Sequence, residues 1–193
     1  MKGSYILLVE LANSKDILVG KLGYISFPKA FYAYVGSAMN GFKARLARHL
    51  KDNKKPHWHI DYLLKQAKLS EIILCPSEPF ASCHSEGEKR PRNLLFSSFL
   101  SSGLRASAHQ DKLREESHSA KGRLRVECFL AQALAREFHF IPGFGASDCK
   151  CKSHLYFGNK KDKLISKVIE AVDQAGLAYK IFPPKEGENG TGV

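Results

Sequence analysis

Short apolar runs alternate with turn residues over the first 35 positions of the chain. The runs at 5–11, 17–20, 24–27 and 31–35 are rich in β-branched and aromatic residues, which is typical of strands. Residues that favour turns, such as those around Asn13, separate one run from the next. This pattern predicts that the chain begins as a small β-meander.

Helical periodicity begins after Asn40-Gly41 and returns further along the chain. Phe42, Leu46 and Leu50 recur at four-residue spacing, which predicts the buried face of a helix that Pro56 ends. These elements place the chain in the α/β class, of the α+β type. The same criteria predict further helices at 60–68, 124–138 and 160–175, and further strands at 71–75, 155–157 and 177–182.

The segment 76–122 differs in composition from the rest of the chain. It is rich in serine, carries scattered charges and contains one apolar island at 94–100. We expect either a disordered insert or a small helical excursion here. The tail at 184–193 is rich in glycine and charge, and we expect it to be disordered. A single domain is therefore expected to cover 1–183.

Basic residues outnumber acidic ones by 30 to 19, which gives a formal net charge of +11. The excess is concentrated between Ser37 and Lys68, where eight Lys or Arg against two acids leave +6. A local basic excess favours a polyanionic partner, and nucleic acid is the first candidate. A basic surface that serves only solubility would give the same balance.

The N-terminus lacks the long apolar run of a signal peptide, and no stretch is long and apolar enough for a membrane span. We therefore expect a cytoplasmic protein without a membrane partner. The chain has five cysteines, an odd number. In this setting free thiols or a metal site are expected rather than a framework of disulfides.

Several residues have the chemistry that phosphodiester cleavage needs. A divalent metal on a carboxylate can act as a Lewis acid, Arg can share the phosphate charge, and Tyr or His can move the proton. Arg45 and His49 lie one helical turn apart in the basic segment, and Tyr34 precedes them on a predicted strand. Glu127 is the candidate carboxylate, although an acid in the first turn of a helix is also favoured by the helix dipole.

A second group of residues has the chemistry of metal ligands, namely His57, His59, Cys149, Cys151 and His154. Thiolates and imidazoles of this kind could hold a tetrahedral Zn²⁺ ion. Alternatively, the first two histidines contact nucleic acid or cap the following helix, and the cysteines are small buried residues. Trp58 is either a core anchor or a platform on which a base stacks.

Together these motifs resemble the GIY-YIG nuclease superfamily, through Gly3-Ser4-Tyr5, Tyr34-Val35-Gly36, Arg45, His49 and Glu127. The first motif lies further from the second than is usual there, and the extra residues fit the strand at 17–20. A closer resemblance is to a small microbial family called domain of unknown function 123, which is elsewhere joined to endonuclease III. It is carried by the segments 34–38, 48–49, 55–63, 127–128 and 144–155.

The resemblance implies a GIY-YIG-like domain, with a small, mostly antiparallel sheet of three or more strands flanked by helices. It also implies an endonuclease that cleaves DNA or structured nucleic acid, with DNA repair as a setting. Tyr5 and Tyr34 would flank the attacking water, and Arg45 would bind the scissile phosphate. His49 would take the position where the superfamily has Tyr or His. Glu127 would hold one Mg²⁺ or Mn²⁺ ion.

The expected partner is nucleic acid, DNA rather than RNA, together with a repair glycosylase of the endonuclease III type. Two other functions fit the same sequence. One is a nucleic-acid-binding module that keeps the fold without catalysis, and the other is a structural domain stabilised by zinc. The residues expected to contact nucleic acid are Gly36, Ser37, Lys43, Arg48, Lys54, Lys55, His57 and His59.

Overall fold

The computed structural model describes residues 1–51, 53–77 and 125–183. Its strands are β1 (Gly3–Leu11), β2 (Lys15–Leu18), β3 (Tyr24–Phe27), β4 (Ala30–Ser37), β5 (Lys68–Pro76), β6 (His139–Phe140), β7 (Leu155–Gly158) and β8 (Lys180–Phe182). Its helices are α1 (Phe42–His49), α2 (His59–Leu64), α3 (Val126–Leu134) and α4 (Lys161–Gln174). Six strands form one antiparallel sheet in the order β6-β7-β4-β1-β5-β8. The predicted α+β class is confirmed.

The central strand β1 is buried on both of its faces. Leu7 lies opposite Tyr34 of β4 on one side and opposite Ile72 of β5 on the other. Successive side chains of a strand point to opposite faces, so alternate residues enter two different cores. Leu7 joins the core beneath α1 and α2, whereas Ile6 and Leu8 join the core beneath α3 and α4. The sheet therefore lies between two helical layers.

The first four strands do not form the predicted meander. In the described part of the chain, β2 and β3 pair with each other as a separate two-stranded hairpin, and β1 pairs with β4. Of the four residues of β2, only Ile17 is buried. A strand with so little apolar surface cannot occupy a place in the sheet that is covered on both faces. The meander prediction was wrong, because the hairpin is an excursion between two central strands.

Helix α1 buries Phe42, Leu46 and His49, whereas Leu50 is 49% exposed. Residues seven apart return to the same side of a helix after two turns, so His49 takes the position expected for Leu50. The prediction of Leu50 in the core was therefore wrong. The consequence for function is that an imidazole, not an isobutyl group, faces the interior at the end of α1.

The remaining elements lie close to their predicted positions. The helix predicted at 60–68 ends at Leu64, and Lys68 already opens β5. The two-residue strand β6 was not predicted. Pro76 belongs to β5, while residues 78–122 of the predicted insert and the tail at 184–193 lie outside the described residues. No helix among the described residues is long and apolar enough to cross a membrane.

Candidate active-site cleft

A cleft of about 230 Å³ opens at the end of the sheet where β1 begins and β4 ends. Tyr5 of β1 and Tyr34 of β4 line it, together with Arg45 of α1 and Glu127 of α3. The antiparallel pairing of β1 with β4 sets Tyr5 opposite Gly36 and so brings the two tyrosine motifs together. The fold therefore gathers four of the five predicted catalytic residues in one cleft.

The fifth residue, His49, lies directly behind Tyr5. Its Nε2 atom is 2.7 Å from the Tyr5 hydroxyl, and only 5% of the residue is exposed. Burial, reinforced by the positive charge of Lys54 and opposed by Asp61, lowers the pKa of His49 to about 4. Burial also raises the pKa of Tyr5. At neutral pH the pair therefore consists of a neutral imidazole and a protonated phenol.

Tyr34 forms the opposite wall of the cleft. Its ring packs edge-on against Phe144, with 6.2 Å between the ring centroids, and it is 8% exposed. Burial raises the pKa of Tyr34 to about 12, although the charge of Arg45 opposes the shift. The ring centroids of Tyr5 and Tyr34 are 6.5 Å apart. Two neutral hydroxyl-bearing rings therefore flank the cleft.

Two glycines leave room for these rings. A Cβ atom on Gly36 would lie 2.5 Å from the hydroxyl oxygen of Tyr5. Gly145 has a φ of +71°, and a Cβ atom there would lie 2.9 Å from Cε2 of Tyr34. Because a larger residue at either position would displace a tyrosine, both glycines are needed for the shape of the cleft.

Trp58 holds two arginines beside the cleft. The Cζ atoms of Arg45 and Arg48 lie 4.1 Å and 4.7 Å from the centroid of its ring system. Contacts of this kind are attractive because the negative face of the indole meets a positive charge. The indole also packs against the core beneath α1 and α2. These contacts favour the anchor interpretation of Trp58 over stacking on a nucleic-acid base.

Asp61 fastens α1 to the start of α2 and was not singled out from the sequence. Its carboxylate is fully buried and accepts hydrogen bonds from the backbone amides of His57 and Trp58 and from Arg48 Nη2. Burial alone would raise the pKa of Asp61, but these amides, together with Lys54 and Arg48, lower it. The available signal was an acid in the first turn of a predicted helix, where free amide groups favour a carboxylate.

The predicted nucleic-acid-binding residues fall into two groups. Gly36, Ser37, His57 and His59 line the cleft, and Lys43 and Lys55 are exposed nearby on the chain. The others are engaged within the protein: Arg48 pairs with Asp61, and Lys54 Nζ donates to the backbone oxygens of Arg48 (2.9 Å) and His49 (2.7 Å).

The side chain of Lys54 lies at the C-terminus of α1. The Lys54 side chain is 5% exposed, and it satisfies carbonyl groups at the C-terminus of α1. The helix ends at His49, so the prediction that it continues to Pro56 was wrong. Lys43 and Lys55, unlike Lys54, have exposed side chains.

Glu127 lies in the first turn of α3 and is 8% exposed. Both interpretations of this residue apply, because it is a first-turn acid and also faces the cleft. Arg125 Nη1 lies 3.9 Å from its carboxylate and 2.9 Å from that of Asp148, which lines the same cleft. Carboxylate oxygens are the donors that Mg²⁺ and Mn²⁺ prefer, and Glu127 and Asp148 bring two carboxylates to the cleft, both beside Arg125.

A second set of potential ligands lies beside Glu127. The ligand atoms of this set all fall within 4.8 Å of one another, so the group could hold a metal ion. Three of its members, from the connection before β7, were among the predicted zinc ligands. Its fourth member comes from α3 and was not predicted, because no local spacing links it to the others. The group consists of Cys128, Cys149, Cys151 and His154.

The two remaining zinc candidates are not part of this group. His59 Nδ1 instead accepts a hydrogen bond from the backbone amide of Gly145 at 3.0 Å. The ring of His57 lies edge-on to Trp58, with 5.4 Å between centroids. The predicted set of metal-binding residues is therefore corrected: His57 and His59 leave it, and Cys128 enters.

The chain belongs to the family described as "Domain of unknown function DUF123", whose model matches residues 4–109 and 106–177. The expected membership of that family is confirmed. No curated protein and no solved structure matches the chain. The family description assigns no activity, so a function has to be argued from the cleft.

Proposed function

We propose that this member of the DUF123 family is a metal-dependent endonuclease of the GIY-YIG type that hydrolyses phosphodiester bonds in DNA or structured nucleic acid. The observation that carries the proposal is the meeting of Tyr5, Tyr34, Arg45 and Glu127 in one cleft, with His49 behind Tyr5. DNA repair, with a glycosylase of the endonuclease III type as partner, is the proposed setting.

In the proposed reaction, Tyr5 and His49 receive the proton of the attacking water. Tyr5 accepts that proton while its own hydroxyl proton passes to Nε2 of His49, 2.7 Å away. The resulting hydroxide forms a bond to phosphorus, the bond from phosphorus to the leaving sugar oxygen breaks, and solvent water protonates that oxygen. An imidazole whose pKa is about 4 is a weak base in the free protein. A phosphate bound in the cleft would raise the pKa of His49, because its negative charge favours the imidazolium. Substrate binding would thus strengthen the base.

Arg45 would share the negative charge of the phosphate as the transition state forms. Its contact with Trp58 limits the conformations of a flexible side chain, so less entropy is lost when the phosphate binds. A Mg²⁺ or Mn²⁺ ion held by Glu127 would supply Lewis acidity at the phosphate. Tyr34 would hold the water from the opposite wall.

A second candidate function is nucleic-acid binding without cleavage. It is supported by the +6 excess between Ser37 and Lys68 and by the exposure of Lys43 and Lys55. This function predicts binding that weakens steeply with salt and needs no divalent metal.

The cleft has two sets of candidate metal ligands, and the two sets prefer different ions. Mg²⁺ and Mn²⁺ suit the carboxylate of Glu127, whereas thiolates and an imidazole suit a softer ion. We therefore propose zinc for the group that contains Cys128, separate from the hard ion of the cleavage reaction.

The experiment that tests the proposed function is a cleavage screen over single-stranded, duplex and branched DNA and RNA, with Mg²⁺, Mn²⁺ or a chelator. We expect nicking of at least one DNA substrate that depends on the added metal. Arg45→Ala should abolish it, and Lys163→Ala, at an exposed position of α4 that the site does not use, should keep most of it. Cleavage of none of the substrates, or equal cleavage by Arg45→Ala, would contradict the proposal.

A further inference from the structure

The geometry points to a structural zinc site formed by Cys128, Cys149, Cys151 and His154, which holds the connection between β6 and β7 against α3. The ligands are three thiolates and one neutral imidazole, a combination typical of structural zinc sites. The inference does not depend on the proposed cleavage, because it concerns metal content and not activity.

The distances fit one tetrahedral ion. With zinc–sulfur and zinc–nitrogen bonds of about 2.3 Å and 2.05 Å, neighbouring ligand atoms lie about 3.6–3.8 Å apart. The Sγ atom of Cys149 is 3.3 Å from Nε2 of His154, and all four ligand atoms lie within 4.8 Å of one another. Movements of about 1 Å would therefore bring the atoms into place, which is within the reach of side-chain rotation.

The imidazole of His154 is already oriented as a ligand. Its Nδ1 atom lies 3.2 Å from the backbone oxygen of Val35, and a carbonyl oxygen can only accept a hydrogen bond. The proton is consequently on Nδ1, and the lone pair of Nε2 faces the thiol of Cys149. Hydrogen bonding of the second ring nitrogen to a carbonyl is the usual outer support of a zinc-binding histidine.

Four protein ligands leave no coordination position for water, which separates this site from a catalytic zinc. Cys128 and His154 are 5% and 4% exposed, and Cys149 and Cys151 are half-buried, so two of the ligands lie in the core and two are partly exposed. Binding of Zn²⁺ would release the three thiol protons and involves no change of oxidation state.

The site would fix two walls of the cleft at once. Glu127 is the neighbour of Cys128 in α3, and the connection that carries the other three ligands also carries Phe144 and Gly145 beside Tyr34. The backbone amide of His154 bonds to the oxygen of Phe144 at 2.8 Å. An ion at this point would thus tie α3, the connection and the strand β4 together.

The test measures zinc by elemental analysis in the full-length protein, purified under reducing conditions without chelator. We expect about one zinc per chain. Replacement by Co²⁺ should give the intense visible bands of a tetrahedral ion and a thiolate-to-cobalt charge-transfer band. A folded protein that contains no zinc and yields an octahedral cobalt spectrum, or a disulfide between two of the three cysteines, would overturn the inference.

Variants assign the ligands. Cys149→Ser and His154→Asn should each lower the zinc content at least about tenfold after dialysis against a weak chelator. Cys75→Ala removes a buried thiol of β5 outside the group and should keep the wild-type content. Equal zinc retention in all three variants would overturn the ligand assignment. If the ligand variants do not fold, the cobalt spectrum of the wild-type protein decides the question, and nicking activity is not needed for either result.

Discussion

The hydroxyl oxygen of Tyr5 and Nε2 of His49 lie 2.7 Å apart between the sheet and α1. On the far side of the imidazole, Nδ1 faces Oδ1 of Asp61 at 3.9 Å. The nearby carboxylate favours the tautomer that carries its proton on Nδ1, so Nε2 accepts the hydrogen bond of the Tyr5 hydroxyl. The phenol is thereby directed toward an acceptor that is neutral at physiological pH.

The pH dependence of stability should reflect His49. Its pKa falls from 6.5 to about 4 on folding, so between these values the unfolded chain binds a proton that the folded chain does not. Stability is therefore complete above about pH 6.5 and is lost as the pH falls toward 4, by on the order of 3 kcal/mol. Urea unfolding at a series of pH values measures this slope.

His49→Gln should flatten the slope between pH 6.5 and 4, leaving the contribution of His59, whose pKa burial also lowers. His139→Gln, at an exposed position of β6, is the matched control and should keep the wild-type slope. Identical slopes for His49→Gln and the wild-type protein would show that His49 is not the residue responsible.

Asp61→Asn should destabilise the protein by about 3 kcal/mol, because it removes the counter-charge of the buried Lys54 and of the half-buried Arg48. Asp61 itself is fully buried, and Lys54 beside it is 5% exposed. Asp173→Asn, at an exposed position of α4, should change stability by less than about 0.5 kcal/mol. Chemical unfolding at pH 7 compares the two, and similar losses would argue against a structural role for Asp61.

Gly36→Ala should abolish cleavage and cost about 1–3 kcal/mol, because the added methyl group overlaps the Tyr5 ring and hydroxyl. Gly23→Ala is the control, since a Cβ atom there meets nothing within 4 Å although φ is +76°. It should cost about 1–3 kcal/mol through the backbone alone and leave cleavage intact. Equal cleavage by the two variants would show that Gly36 does not shape the active site.

Trp58→Ala should lower the rate of cleavage at least about tenfold, because Arg45 loses the ring on which it stacks. Trp58→Phe keeps an aromatic face and should stay within about threefold of the wild-type rate. Single-turnover rates at saturating enzyme separate this effect from weaker binding. A full loss in Trp58→Phe would indicate that the indole contacts the substrate directly.

Local patterns were sufficient for the predictions that depend on neighbours in sequence. The spacing of Arg45 and His49 is fixed by one turn of α1, and the apolar runs at 5–11 and 31–35 became β1 and β4. The pairing of β1 with β4 across the hairpin depends on which strands can be buried on both faces. A strand is buried on both faces only when helices pack on each side of the sheet, and local sequence patterns do not show that packing.

The functional residues that the sequence did not indicate are those defined by distant contacts. Cys128 becomes a ligand candidate because α3 packs beside the connection that carries Cys149, and no motif joins the two positions. The burial of Asp61 follows from the approach of α1 and α2, with Arg48 and Lys54 supplied by other parts of the chain. Neither contact can be predicted from the periodicity of a single sequence.

The measurement that tests the central claim most directly is metal-dependent cleavage of DNA by Glu127→Gln, compared with binding of the same DNA. The account predicts loss of cleavage by at least about a thousandfold, while binding in chelator and the zinc content stay unchanged. Glu137→Gln, an exposed position that pairs with Lys167 at 3.8 Å, should cleave as the wild-type protein does. Cleavage by Glu127→Gln at the wild-type rate would contradict the assignment of this cleft as a metal-dependent nuclease site.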